Sequence, residues 1–198
     1  MENFDAFTAG IEPGGLRTRS DIGILICYML ATVEKPFCKE DIITVICDNG
    51  IANYFETSAA VADLEKCGNI ICTDTATELY TVTENGKLIA HQLHTGLPSV
   101  IRKKAVTATL NLLAKRKIED ENPVTIQKAE GGGYNVHFRI TDGVRDLMSF
   151  TVFIPDLSQA NAVKQNFHKN PERIYQIMLA AIIGEKEMVQ EALRELRK

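Results

Sequence analysis

Three apolar helical stretches running straight into a short two-stranded hairpin, and three further strands set between helices, predict an α+β chain. The first block reads as a winged helix-turn-helix and the second as a small domain with a three-stranded antiparallel sheet and flanking helices. The expected parts are an N-terminal arm over 1–19, the winged helix-turn-helix over 20–95 and an α/β domain over 96–198 with an amphipathic C-terminal helix.

Taken in order, the arm is Gly/Pro-rich around Gly10-Ile11-Glu12-Pro13-Gly14-Gly15, while Phe4, Phe7, Ile11 and Leu16 give it apolar surface. Ser20-Asp21 reads as the N-cap of a first helix, with Ile22, Leu25, Ile26, Met29 and Leu30 at helical spacing. A second helix is expected over about Lys39–Asp48, ended by Asn49-Gly50, and a third over about Phe55–Cys67, ended by Gly68-Asn69. Ile70–Thr73 and Glu78–Val82 are strand-like around the turn Asp74–Thr77, and Thr83 caps a further helix from Glu84.

After Gly96-Leu97-Pro98 a long helix runs to about Ile118, followed by strands over Val124–Ala129, Tyr134–Thr141 and about Leu147–Ile154. Gly131-Gly132-Gly133 joins strand to strand, so it is expected to be a hairpin turn rather than a phosphate cradle, which would lead into a helix. Tyr134, Val136, Phe138 and Ile140 must share a face with Met148, Phe150, Val152 and Ile154, which demands an odd-length connection. The simplest is a bulged turn Thr141-Asp142-Gly143 with Gly143 at positive φ. A short helix from Ser158 and a longer one opened by Asn170-Pro171-Glu172 complete the chain, and an apolar stripe resumes after Gly184 at Met188, Val189, Ala192, Leu193 and Leu196.

The segment Leu64-Glu65-Lys66-Cys67-Gly68-Asn69-Ile70 and the later Tyr80-Thr81-Val82-Thr83-Glu84-Asn85-Gly86 are similar to the helix end and post-wing text of winged-helix regulators, with Val82 where Leu is usual. The opening Phe4-Asp5-Ala6-Phe7-Thr8-Ala9-Gly10-Ile11-Glu12-Pro13-Gly14-Gly15-Leu16-Arg17, with Ala52-Asn53-Tyr54-Phe55-Glu56, resembles an uncharacterised domain-of-unknown-function family of low-GC Gram-positive bacteria. That resemblance implies a winged-helix N-terminus and the label of transcriptional regulator. It implies no ligand, target site or catalytic residue.

The net charge of −4 divides unevenly: residues 1–95 carry six Lys/Arg against fourteen Asp/Glu, and the rest carries the remaining sixteen against twelve. Five cysteines without a Cys-x-x-Cys pair predict buried or free thiols, with no cofactor and no metal. No apolar run reaches the ~20 residues of a membrane helix. The acidic N-terminus lacks a signal-peptide pattern, so a cytoplasmic protein is expected.

No nucleophile motif or convergent carboxylate pair appears, and an enzyme is not expected. The leading expectation is a DNA-binding transcriptional regulator. The third helix would offer Tyr54, Thr57, Ser58 and Lys66 to double-stranded DNA, and Arg17, Arg19 and Lys39 would reach the backbone. The alternative is a winged helix used as an acidic protein–protein adaptor, because Lys66 is the helix's only cation and the wing has none. Arg102-Lys103-Lys104 lies where the helix dipole disfavours positive charge, which implies a partner: the acidic first half of this or a second subunit, or a phosphate backbone. The amphipathic tail predicts a helix-mediated homodimer. No polar cluster marks a small-molecule effector site.

Overall fold

In the computed structural model, which describes residues 11–184, 186, 187, 189 and 190, the N-cap of the first helix lies two residues before the expected Ser20. The Thr18 hydroxyl accepts from the Asp21 N–H at 3.1 Å and donates to the Asp21 carboxylate at 2.7 Å. Thr18 therefore displaces Ser20 as N-cap of α1 (Arg19–Val33). Then follow β1 (Phe37–Cys38), α2 (Lys39–Cys47), α3 (Tyr54–Lys66), β2 (Ile70–Asp74), β3 (Leu79–Val82), α4 (Glu84–Leu93), a 3-10 turn at His94–Gly96 and α5 (Ser99–Glu121). The chain divides into two compact units within α5, one ending at Leu113 and the other beginning at Ala114.

In the first unit α1 is apolar on almost every side, and Ile22, Leu25, Ile26, Cys27, Met29 and Leu30 are all at most 2% exposed. Around it pack Ile42 and Ile46 of α2, Val61 and Leu64 of α3, Ala90 of α4, and Ile101 and Ala105 of α5. Its sheet has the order β1-β3-β2, antiparallel throughout, with Phe37 opposite Tyr80 and Cys72 opposite Tyr80 on the other side. β1 was not expected from the sequence. It is two residues long and exists because β3 offers it partners, a tertiary effect invisible to local pattern.

Gly86, in the first turn of α4, allows that helix to meet the turn before β2. Thr83 caps α4 by accepting from the Gly86 N–H at 3.3 Å, while the Thr83 N–H donates to the Asn69 carbonyl at 3.0 Å. A Cβ on Gly86 would lie 2.2 Å from that same carbonyl oxygen and 2.6 Å from Val82 Cγ2.

The second unit carries β4 (Val124–Lys128), β5 (Tyr134–Thr141), β6 (Asp146–Ile154), α6 (Leu157–Lys169) and α7 (Pro171–Ile183), with an antiparallel sheet in the order β4-β5-β6. Its core is built on Val136, Phe138 and Ile140 from β5 with Phe167 from α6, and Phe138 stacks on Phe150 at 4.8 Å. Asp156 caps α6 by accepting from the Gln159 N–H, and Asn170 with Pro171 opens α7. The apolar faces match as expected, Phe138 opposite Phe150 and Ile140 opposite Met148.

The connection between them differs from the expected Thr141-Asp142-Gly143 turn. Thr141 still pairs with Asp146, so the loop is 142–145, and the odd residue is absorbed by a register shift after Ile140. Asp142 makes the longer loop possible. Its carboxylate accepts from the Arg145 and Val144 N–H groups at 2.8 and 2.9 Å, bonds that hold it below the usual carboxylate range, while Gly143 takes φ 85°.

Among the described residues no helix is long and apolar enough to cross a membrane. Phe4 and Phe7 of the arm, and Met188, Ala192, Leu193 and Leu196 of the resumed stripe, lie outside the described residues.

Gly86→Ala is expected to destabilise the protein by about 1–3 kcal/mol through overpacking against backbone that cannot retreat. Thermal unfolding followed by circular dichroism checks it; an unchanged midpoint would show that α4 shifts freely away from Asn69.

Candidate functional site

Asn53 fixes the start of α3. Its buried side chain accepts from the Glu56 N–H at 2.8 Å, satisfying one of the donors a helix N-terminus leaves open. From there the inward stripe is Thr57, Ala60, Val61 and Leu64, all buried. Thr57 is fully buried, its hydroxyl donating to the Asn53 carbonyl at 2.7 Å, and the Cys47 thiol lies 3.9 Å from it. The expectation that Thr57 contacts bases is therefore overturned: the helix phase that seats Leu64 also turns Thr57 inward.

What α3 presents outward is an aromatic pair. Tyr54 is 56% and Phe55 71% exposed, their rings meeting edge to face at 5.7 Å. Ser58 and Ala59 are half-buried, and Ala62, Asp63, Glu65 and Lys66 are exposed. At the hairpin tip Asp74 turns back on its own loop, accepting from the Thr77 hydroxyl at 2.6 Å and the Ala76 N–H at 2.9 Å, which lowers its pKa. Tyr80 ties the hairpin to α3 by donating to the Glu65 carboxylate at 3.1 Å; burial first, and that acceptor second, push its phenol up to about 12.

The expected cations scatter. Arg19 reaches α3, but its Nε donates to Glu56 Oε2 at 2.7 Å, a pairing that raises the guanidinium pKa further. Arg17 is exposed just ahead of α1, Lys39 is half-buried as the first residue of α2, and Lys66 is exposed at the far end of α3. Nor does Arg102-Lys103-Lys104 form one patch. Lys104 pairs with Glu12 at 2.6 Å, a carboxylate of the acidic first half. The Arg102 guanidinium lies 6.0 Å from the Tyr28 ring centre, and Tyr28 stacks on His94 at 5.2 Å, while Lys103 is exposed.

A family model described as "Domain of unknown function (DUF4364)" matches residues 22–182, from α1 to α7. The chain belongs to this family. No match was found among curated proteins or among solved structures.

Elsewhere in this DUF4364 chain the histidines of the second unit are hydrogen-bonded within the fold. His137 bonds the Thr151 hydroxyl at 2.6 Å on the outer face of the second sheet, and buried His168 bonds the Asn122 carbonyl at 2.8 Å. Among the described residues no group of three or more His, Cys, Asp or Glu is placed to hold a metal. Phe55 is the site residue that sequence reading passed over. Its signal was phase: carrying the 57/60/61/64 stripe back one turn leaves Phe55 on the far side of the helix, beside Ala62 and Lys66.

The five cysteines, all free thiols, report on this packing. Desolvation raises the Cys47 thiol and pushes Cys27 up to about 11, and only the thiolate reacts. With both pKa values raised, the reactive fraction at mildly alkaline pH falls. Iodoacetamide is expected to label exposed Cys67 first and buried Cys27 last, with Cys47 catching up only as pH rises. Mass-spectrometric labelling of the native protein checks the order; early modification of Cys27 would contradict the buried setting of α1.

Proposed function

We propose that the first unit is a winged-helix interaction module whose α3 face docks a basic protein segment, making the protein an acidic adaptor. The fold reading rests on element order: helix, short strand, helix, helix, then the β2–β3 hairpin, with β1 completing the sheet. The observation that carries the partner's chemistry is the exposed Tyr54–Phe55 pair at the start of a helix whose exposed charges further along, Asp63, Glu65 and Lys66, are mostly acidic. Aromatic anchors supply much of the energy at protein interfaces. Duplex affinity instead depends on neutralising phosphates. Across α3 and the hairpin, exposed Asp63, Glu65, Asp74 and Glu78 face solvent with Lys66 the exposed cation of α3, and Arg19 is engaged by Glu56.

A DNA-binding transcriptional regulator is the second reading, favoured by one contact. The Arg19–Glu56 bond brings the start of α1, and Arg17 with it, beside the N-terminal turn of α3. In that reading Tyr54, Ser58 and Lys66 touch the duplex and Arg17, Arg19 and Lys39 hold phosphates.

Fluorescence anisotropy separates the two. An adaptor ignores labelled duplex fragments even at low ionic strength and binds Lys/Arg-rich peptides, with Phe55→Ala weakening peptide binding by about 2 kcal/mol, the size of an aromatic hot spot. Duplex binding that falls steeply with salt, and weakens on Arg17→Ala, would replace the adaptor with the regulator.

A further inference from the structure

We propose that β6 is the seam of a homodimer, pairing antiparallel with β6 of a second copy so that two three-stranded sheets continue as one of six strands.

β6 is an edge strand, nine residues long, bonded to β5 on one side and to no strand on the other among the described residues. Such an edge is a template for another chain, and proteins usually blunt it with lysines, proline, a central bulge or a covering element. From Leu147 to Ile154 this strand has no charge and no proline, and its one irregularity falls at the very start, opposite Ile140 and Thr141. The opposite edge, β4, is five residues long and ends in Lys128.

The apolar core also runs out at this edge unfinished. Val152 lies opposite Val136, which is fully buried, yet Val152 itself is 39% exposed, and on the other face Phe153 is 58% exposed although its ring reaches over Gly133. An added strand would flank both faces, so it buries these side chains as well as satisfying the open backbone groups.

Charge and symmetry select the occupant. A neutral edge gains nothing from an acidic or basic peptide, whereas a second β6 brings matching β-branched and aromatic cross-strand partners. Asp146 is the only charged residue on the strand. Antiparallel pairing about a twofold axis puts the two Asp146 carboxylates at opposite ends of the seam; a parallel pair would set them side by side. Twofold, self-complementary contact is the commonest route to a dimer.

The seam is independent of what α3 binds, because the test needs no ligand. Light scattering on the full chain after size exclusion should give twice 22.0 kDa, and Ser149→Lys with Thr151→Lys, both exposed on the outer face, should give the single mass with unchanged far-ultraviolet circular dichroism. On the unmodified protein, amide hydrogen exchange should show β6 losing protection on dilution while β4 does not, a readout that stands even where the double variant fails to fold. A monomeric wild-type chain, a dimer that survives both lysines, or a dimer whose β6 amides exchange as fast as in the monomer overturns the proposal.

Discussion

Burial of α1 on nearly all its faces is the constraint from which the first unit follows. A helix with Ile22, Leu25, Ile26, Cys27, Met29 and Leu30 all out of water cannot lie at a surface, so other elements must close over it. Each does so with an inward stripe of its own. A close approach is made where a side chain is missing: a Cβ on Gly23 would meet Leu64 of α3 at 3.5 Å, an ordinary contact, so α3 rests almost directly on the α1 backbone.

That seating sets the phase of α3, and the phase decides what the helix can do. With Leu64, Val61 and Ala60 turned to α1, Thr57 must follow them inward, and Tyr54, Phe55, Ala62 and Lys66 are left for solvent. The cap contributes as much as the core. Asn53 begins the helix at Tyr54, so the exposed aromatic pair occupies its first turn.

Most of this architecture could be read from the sequence because its signals are local. Periodic Ile and Leu mark α1, Asn170-Pro171 marks α7, and alternation in Tyr134–Thr141 fixes which face of β5 is buried. What escaped was set by distant partners or by side-chain chemistry at a turn. β1 is too short to carry a pattern and depends on β3. Asp142, by gathering two backbone N–H groups, stabilises a longer loop than register alone requires. The error over Thr57 has a different origin. The expectation puts Thr57 on the early, exposed part of a recognition helix, although its place three, four and seven residues before Ala60, Val61 and Leu64 sets it on the buried stripe; local bonding to the Asn53 carbonyl then removes the cost of burying it.

Charge shows why the site resisted reading from composition alone. The first 95 residues are strongly acidic, and the structure uses part of that acidity internally: Glu56 engages Arg19, Glu12 engages Lys104, and Asp74 folds onto its own turn. The pairings with Arg19 and Lys104 offset cations as well as anions, although the Arg19 side chain stays 57% exposed. Arg19 is the one cation of this half among these pairings, so its bond to Glu56 is the pairing that offsets positive charge beside α3, even as it brings an arginine close to the helix. Exposed Tyr54 and Phe55 occupy the first turn of a helix whose remaining exposed charges, Asp63, Glu65 and Lys66, are mostly acidic. Its exposed rings and the charges beyond them follow from the same seating of α3 on α1, and it is on this arrangement that the proposed adaptor role rests.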